Sequence, residues 1–289
     1  MATYNGEKYI QEQLESIFSQ ENVKVKVLVR DDGSTDQTKS ILDKWSNSHD
    51  LEWYTGEHLN AAFGFYDLML HGKDTAYEYF AFSDQDDIWD KDKLFTALQF
   101  LEKMSHSKPC LYYCGQRLVD ENANYLDTHY LNVKRNMKTK FIFSDIAGCT
   151  TVFNKILLNK VVDYKPSYMM MHDTWLIKVC LALGGEIYAD REPHISYRQH
   201  GHNAVGLSNK LSSKIIRAKT YIFDYDLLAQ MQELKKGYQT EIVPEYNMII
   251  NYLINYKEYK STLLNKNHFD FCDFGLNITF KLKVLLGKI

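Results

Sequence analysis

The sequence predicts an α/β fold in which a mostly parallel sheet has helices on both faces. Strand-like and helix-like segments alternate from residue 1 to about 120, an order typical of parallel strands joined by crossover helices. Polar clusters follow two of these strands, at Asp31–Ser34 and Ser83–Asp87. From Leu207 onward the Tyr-rich, amphipathic pattern predicts a helical C-terminal extension. We therefore expect an α/β domain over 1–206 and a helical extension over 207–289.

Individual elements follow from local patterns. Apolar residues at helical spacing predict a helix over Glu7–Gln20, and the Val-rich segment Val23–Arg30 predicts a buried strand. The tetrapeptide Ser-Thr-Asp-Gln at 34–37 matches a capping box and predicts a helix from there to Trp45. The other predicted elements are strands at Leu51–Thr55, Glu78–Ser83 and Leu111–Val119, and helices at Ala61–His71 and from Asp90 to Met104.

Composition argues against several classes of protein. A chain of 289 residues with 45% hydrophobic residues and 4 Pro can bury a sizeable core. Its net charge of -3 gives no general reason to expect nucleic acid as a partner. Five cysteines without a pairing or zinc-binding pattern indicate reduced thiols. Without a signal peptide or a long apolar run, we expect a cytoplasmic protein, with the inner face of the cell membrane as an alternative.

The C-terminal segment Ile278–Ile289 mixes large apolar residues with lysines. This pattern suits a helix that lies on a membrane surface. It equally suits a helix that packs against the main domain, which is the default interpretation. Peripheral membrane association therefore stays open from the sequence.

The most informative segment is Ser83–Asp87, with the sequence Ser-Asp-Gln-Asp-Asp. Its three carboxylates repel one another, which a merely structural strand end does not require. On an extended backbone Asp84 and Asp86 point to the same side, with Cβ atoms roughly 6.5–7 Å apart. That arrangement suits oxygen ligands of one divalent cation, although a solvated acidic turn is the alternative. Because ligands bind at the carboxyl ends of parallel strands, we interpret the segment as the floor of an active site.

Five motifs in series resemble family 2 glycosyltransferases. They are Ala-Thr-Tyr-Asn-Gly at 2–6, Asp-Asp-Gly-Ser at 31–34, the acidic segment at 83–87, Gly-Cys-Thr at 148–150 and His-Asp at 172–173. The segment 197–203, Tyr-Arg-Gln-His-Gly-His-Asn, is similar to the ending of the rhamnosyltransferase-like branch, which builds capsule, O-antigen and cell-wall polysaccharides. The resemblance covers roughly residues 1–206. It implies a GT-A fold, a nucleotide-sugar donor, Mg²⁺ or Mn²⁺ as cofactor, and inversion at the anomeric carbon.

The resemblance assigns five residues to the nucleotide sugar. Tyr4 would lie against the base, with backbone from Thr3 beside it, and Asn5 belongs to the same motif. Asp32 would accept a hydrogen bond from the imide N–H of the base, and Asp84 would approach the ribose or the sugar. A helix-capping role for Asp32 is the alternative.

Five further residues are assigned around the diphosphate and the acceptor. Asp86 would bind the metal ion, His200 would complete the metal shell, and Arg198 would contact phosphate. Gly148 would allow the backbone to approach the sugar, and Asp173 would be the catalytic base. Alternatives are a plain turn at Gly148, an exposed loop histidine at 200, and a helix-dipole role for Asp173.

These assignments imply transfer of a sugar, first of all rhamnose from dTDP-rhamnose, to a lipid-linked or growing glycan. A UDP-hexose donor is an alternative because uracil and thymine present the same imide edge. A non-catalytic nucleotide-sugar-binding protein is another. Since Met1 falls inside the first strand of the family pattern, we expect that strand to be short and the nucleotide pocket to be weakened.

Overall fold

Two β-sheets, rather than one, form the centre of the molecule. The computed structural model describes residues 1–57, 59–144, 146–200 and 211–289. The first sheet has three parallel strands in the order β1-β2-β3, namely β1 (Ala2–Thr3), β2 (Val27–Asp31) and β3 (Leu51–Thr55). The helices α1 (Ile10–Phe18) and α2 (Thr38–Ser46) make the crossovers. This half confirms the predicted alternation, and β1 is as short as expected.

The second sheet is mixed in direction. Its strand order is β4-β8-β6-β9-β5, with β7 paired to β6. Of these pairs only β6 and β9 run parallel. A short turn after β6 leads directly into β7, which forces an antiparallel pair. The strands are β4 (Tyr79–Ala81), β5 (Ile88–Trp89), β6 (Cys110–Val119), β7 (Tyr125–His129), β8 (Thr151–Asn154) and β9 (Glu186–Arg198).

Helices cover the sheets and form the C-terminal part of the chain. Those before residue 200 are α3 (Ala61–Gly72), α4 (Lys93–Leu101), α5 (Met137–Phe143), α6 (Lys155–Val162) and α7 (His172–Ala182). Those after it are α8 (Leu211–Phe223), α9 (Leu227–Tyr238), α10 (Pro244–Ile254), α11 (Lys260–Leu264) and α12 (Phe274–Leu285). The predicted helical extension is confirmed. Among the described residues, none of the helices combines the length and the apolar character that crossing a bilayer requires.

The C-terminal helices share a hydrophobic core with the first two hundred residues. Phe65 of α3, Trp175 of α7, Leu253 of α10 and Phe280 of α12 belong to one buried cluster. Trp175 is fully buried at its centre. The C-terminal helices are therefore held rigidly against α3 and α7. The predicted boundary at 206/207 lies outside the described residues.

Two predicted helix starts are wrong. The capping box at 34–37 does not form, because the Gln37 N–H that it would use donates to the Glu7 carboxylate at 2.8 Å, while the Ser34 hydroxyl donates to the buried Asp31 carboxylate. Helix α2 begins later, at Thr38, whose N–H donates to Asp36 over 3.0 Å. Asp90 does not cap α4, since its carboxylate pairs with Arg117. In both cases a charged long-range partner takes the group that the local pattern assigned to the helix.

Candidate active site

A cavity of about 1240 Å³ lies against the carboxyl ends of the first strands. Seven of the ten predicted site residues line it: Thr3, Tyr4, Asp32, Asp84, Asp86, Gly148 and Asp173. The opposite side, which we call the far wall, is formed by α8 and α12 through Ala218, Tyr221, Gly275, Leu276 and Thr279. Asn5, Arg198 and His200 are not among the residues that line the cavity. The sequence therefore located the acidic side of the cavity but not its far wall.

The two neighbouring acids at the end of β2 have different tasks. Asp31 is fully buried and accepts hydrogen bonds from the backbone N–H groups of Gly33 and Ser34, at 3.2 and 3.0 Å. Gly33 adopts a φ of 86°, which the turn requires and a side chain disfavours. Asp32 lines the cavity and pairs with the buried guanidinium of Arg30. Asp31 thus shapes the loop, and Asp32 is the acid that faces the cavity.

Asn5 joins the first loop to the second. Its side-chain oxygen accepts from the Thr35 N–H at 2.9 Å, and its own N–H donates to the Ser34 hydroxyl at 2.9 Å. Its φ of 47° lies in the left-handed region that Asn tolerates better than most residues. Asn5 therefore positions Tyr4, which is 50% exposed at the cavity.

Gln85 connects the acidic segment to β1. Its side-chain oxygen accepts from the Thr3 hydroxyl at 2.6 Å and from the Tyr4 N–H at 3.0 Å. Its amide nitrogen donates to the Tyr4 carbonyl over 3.3 Å. Sequence reasoning gave Gln85 no role, although alternation along an extended segment places it opposite Asp84 and Asp86. These three hydrogen bonds, which we call the Gln85 clamp, hold Thr3 and Tyr4 at the same cavity as the acids.

The acidic segment carries more negative charge than its surroundings stabilise. Burial, then the nearby Asp86 and Asp173 carboxylates, raise the pKa of Asp84 to about 7. Burial, then Asp84, raise the pKa of Asp87 well above its usual value. A divalent cation would relieve this repulsion and restore the ionised forms.

The donor atoms present fit such a cation. The Nε2 atom of His200 lies 2.7 Å from a carboxylate oxygen of Asp86, and Asp84 lines the same cavity. Carboxylate oxygens with one imidazole suit Mn²⁺, and carboxylates alone suit Mg²⁺. Cys149 lies with Asp84 and Asp87 in a group whose ligand atoms are within 4.8 Å of one another. Burial raises the pKa of the Cys149 thiol far above its usual value, so it is not the thiolate that soft metals require.

Arg198 anchors the acidic segment from behind. Its guanidinium, 2% exposed, donates to the carbonyls of Asp86 and Glu121 at 2.8 Å each, and to the Glu12 carboxylate. Its backbone N–H donates to Asp87. These contacts place the guanidinium under the acids and away from the cavity surface, so a direct phosphate contact stays a prediction. The neighbours Gly201, His202 and Asn203 of its motif lie outside the described residues.

Asp173 occupies the first turn of α7 at the cavity wall. Its carboxylate accepts from the Gly148 N–H at 2.9 Å and from the Thr174 N–H at 2.6 Å. Burial raises its pKa to about 6, and these hydrogen bonds oppose that rise. The group is therefore ionised at neutral pH and poised to accept a proton.

His172 explains why residue 148 is a glycine. Its ring is buried, stacks on Phe65 with centroids 3.9 Å apart and meets the edge of Phe82. A Cβ at position 148 would approach Nε2 of His172 to 2.5 Å. The close approach that the sequence predicted at Gly148 is thus to a protein ring, and the predicted contact with a sugar stays untested. Sequence reasoning assigned His172 no role beyond its place beside Asp173 in the His-Asp motif.

Comparison with known proteins fixes the family. The family model described as Glycosyl transferase family 2 matches residues 1–162 of the 289. The chain belongs to glycosyl transferase family 2. It is similar to the dTDP-rhamnosyl transferase RfbG of Shigella flexneri, with 31% identity over 242 residues that cover 76% of this chain and 80% of that protein. Other curated relatives are longer, and this glycosyltransferase spans 58% to 62% of their length.

Solved structures share the fold of this glycosyltransferase. S. aureus TarS 1-349 in complex with UDP-GlcNAc matches with a TM-score of 0.59 at 17% identity, over 99% of this chain and 90% of that one. The mannosyltransferase PcManGT from Pyrobaculum calidifontis, in complex with GDP-Man and Mn²⁺, matches with a TM-score of 0.57 at 18% identity, over 99% and 85%. At this identity the comparison shows the GT-A type architecture alone.

Proposed function

We propose that this glycosyltransferase transfers a sugar from a nucleoside diphosphate with inversion, using a divalent cation and Asp173 as general base. The proposal rests mainly on one observation. The acidic segment 83–87, in which the pKa of Asp84 is raised by burial and by neighbouring carboxylates, lines the same cavity as the buried, hydrogen-bonded carboxylate of Asp173. A single inverting displacement needs one base, whereas a double displacement would also need a nucleophile.

The first donor we propose is dTDP-rhamnose. Similarity to the dTDP-rhamnosyl transferase RfbG of Shigella flexneri supports it, and Asp32 offers a carboxylate to the imide N–H of thymine. Uracil presents the same edge, so a UDP-hexose is the nearest alternative. Arg30 fixes Asp32 from behind, since its buried guanidinium also pairs with Asp67 over 2.9 Å.

Asp86 and His200 would hold the cation, with Asp84 beside them. When bound, the cation would offset the negative charge that develops on the leaving diphosphate. The Mn²⁺ in the complex of the archaeal neighbour supports this assignment. Gln85 and Arg198 keep the acidic segment in place while the charge on the ligand changes.

Asp173 takes the proton of the acceptor hydroxyl while the hydroxyl oxygen forms its bond to the anomeric carbon. The bond from that carbon to the diphosphate oxygen breaks, and its electron pair leaves with the diphosphate. The Gly148 and Thr174 N–H groups hold the carboxylate in one orientation throughout. A poor nucleophile such as a sugar hydroxyl needs a carboxylate within hydrogen-bond reach.

The acceptor we propose is a lipid-linked or growing cell-surface glycan, reached from the cytoplasmic side with peripheral membrane association. The far wall supports this choice, because α8 and α12 extend the cavity beyond the predicted donor residues. A shallow acceptor region would have needed no such wall.

A donor panel tests the proposal. The full chain is incubated with dTDP-rhamnose and with UDP-hexoses in the presence of Mn²⁺ or Mg²⁺, and nucleotide release is measured. Cation-dependent release that is lost in Asp86→Ala is the expected result. Nucleotide binding without turnover of any donor would favour the non-catalytic alternative. If calorimetry detects no cation uptake with nucleoside diphosphate present, the metal assignment is wrong.

A further inference from the structure

Helix α12 presents a row of large apolar side chains to the solvent. Phe274 is 82% exposed, Ile278 43%, Leu282 42% and Leu285 55%. They follow one another at intervals of four, four and three residues, which keeps them on one face of a helix. The opposite face is buried through Phe280 and Val284. Helix α12 is therefore anchored on one side, and the apolar face, as we call the row of these four residues, is exposed on the other.

The charged residues within the segment that carries the apolar face are all lysines, and carboxylates lie beside its start: Asp273 caps α12 directly before Phe274, and Asp270 is close enough to Lys281 to interact with its charge. Lys281 and Lys288 belong to the same segment, and residues 274–289 include no Asp or Glu. Helix α12 packs on α8, whose sequence also includes basic residues and no carboxylate. Exposed Ile215, Ile216 and Phe223 extend the apolar surface there. Since the whole chain has a net charge of -3, this concentration runs against its general balance.

We propose that the apolar face and its lysines dock on an anionic lipid bilayer. Large apolar side chains flanked by lysines match the interface of a membrane with negative headgroups. A second copy of the chain fits less well, because a two-fold contact through this face would oppose lysine to lysine. The other side of α12 lines the cavity through Gly275, Leu276 and Thr279. Docking there places the far wall beside the headgroups, where a lipid-linked acceptor is held.

The docking proposal is based on the exposed apolar face alone. The further idea that docking brings a lipid-linked acceptor to the cavity rests on the proposed function. Flotation of the full chain with vesicles separates the two. Vesicles of equal parts phosphatidylglycerol and phosphatidylcholine are compared with vesicles of phosphatidylcholine alone. We expect binding to the anionic vesicles that is at least about tenfold stronger.

Two paired substitutions test the two halves of the surface. Phe274→Ser with Leu285→Ser should weaken vesicle binding at least about tenfold, since it removes apolar contact with the interface. Lys281→Glu with Lys288→Glu should weaken binding to anionic vesicles alone. The matched control is Tyr125→Ser with Leu126→Ser on β7, whose side chains are 64% and 55% exposed; its binding should stay within about twofold of wild type. Thermal unfolding checks that each variant is folded.

Other results would overturn the proposal. One is failure of the wild-type chain to float with anionic vesicles. Another is a loss of vesicle binding in the control pair as large as the loss in Phe274→Ser with Leu285→Ser. A wild-type dimer in sedimentation velocity that Phe274→Ser with Leu285→Ser converts to monomer would assign the face to a second copy. Donor turnover measured without lipid should be unchanged in both pairs. A wild-type chain that binds vesicles but shows no donor turnover would contradict the proposed function and leave the docking proposal standing.

Discussion

Two opposing influences set the ionisation of the Asp173 side chain. Burial disfavours the carboxylate, and hydrogen bonds from the Gly148 and Thr174 N–H groups favour it. The result is a pKa of about 6, higher than that of an exposed Asp and still below neutrality. A base of this kind is mostly ionised at pH 7 and stronger than an ordinary carboxylate.

Asp173→Asn should retain donor binding and lose transfer. The amide keeps the volume of the side chain but cannot accept the hydroxyl proton, so we expect a loss of about 10²- to 10⁴-fold in kcat. Nucleotide release and calorimetric donor affinity are measured on the same preparation. The exposed Asp74→Asn serves as control and should match wild type. Transfer at the wild-type rate in Asp173→Asn would remove Asp173 from the mechanism.

The same carboxylate predicts an acid limb in the pH profile. Because a base must be ionised and the pKa of Asp173 is raised to about 6, kcat/KM should fall below that pH. The slope should approach about tenfold per unit for a single ionisation. The measurement is donor turnover from pH 5 to pH 8 at saturating cation. A flat profile down to pH 5 would contradict a raised pKa.

Between elements, the contact of the turn before β8 with the start of α7 determines the position of the Asp173 carboxylate. Gly148→Ala should destabilise the protein, because the added methyl meets the buried His172 ring at 2.5 Å. Overpacking of this kind costs about 1–3 kcal/mol in the free energy of unfolding. Donor turnover should fall as well, since the Gly148 N–H holds Asp173.

Gly72→Ala is the matched control for that substitution. Gly72 ends α3, and a Cβ there would meet nothing within 4 Å. Its unfolding free energy should be unchanged or rise by up to about 1 kcal/mol, as Ala favours helix. Urea unfolding of both variants gives the comparison. Equal effects at the two positions would show that close packing against His172 is not the cause.

The buried Arg198 guanidinium is a main contact between the end of β9 and the acidic segment. Arg198→Met leaves the carbonyls of Asp86 and Glu121 and the Glu12 carboxylate without that donor. We expect a loss of about 2–4 kcal/mol in unfolding free energy, as for other broken buried charge contacts. Cation affinity should fall with it because the acidic segment is less well held.

Lys8→Met provides the contrast in the same neighbourhood. Lys8 pairs with Glu121 over 2.8 Å, with both side chains more than half exposed. Exposed pairs of this type contribute little, so the unfolding free energy should change far less than in Arg198→Met. Denaturant unfolding of the two variants distinguishes a buried anchor from a surface pair. A larger loss in Lys8→Met than in Arg198→Met would reverse this assignment.

Over the whole molecule, the sequence predicted what periodicity and strand-end chemistry encode. The strand Leu51–Thr55 was predicted at its observed bounds, and the acids at 32, 84, 86 and 173 meet in one cavity as expected. The strand is set by neighbours within a few residues, whereas the meeting of the acids was expected from the chemistry of strand ends and from the family resemblance. The resemblance to a known family supplied the order of the motifs, which local patterns do not contain.

What the sequence did not predict depends on partners far along the chain. The mixed second sheet is set by the pairing of β6 with β8 and β9, about forty and eighty residues away. The Gln85 clamp spans 82 residues to Thr3, and the Gln37 N–H donates to Glu7, 30 residues away, instead of closing a capping box. The far wall needed the folded position of α12. Single-residue patterns carry no information on such pairs.

Lys283 joins the last helix to α8 at a buried point. Its ammonium donates to the carbonyls of Tyr221, Ile222 and Tyr225, at 2.9, 3.0 and 2.6 Å. A helix end held by three bonds to one neighbouring cation does not slide independently. Any tilt of α12 must therefore drag Tyr221 with it, and Tyr221 borders the cavity. The width of the cavity on the side of Tyr221 therefore depends on the position of helix α12.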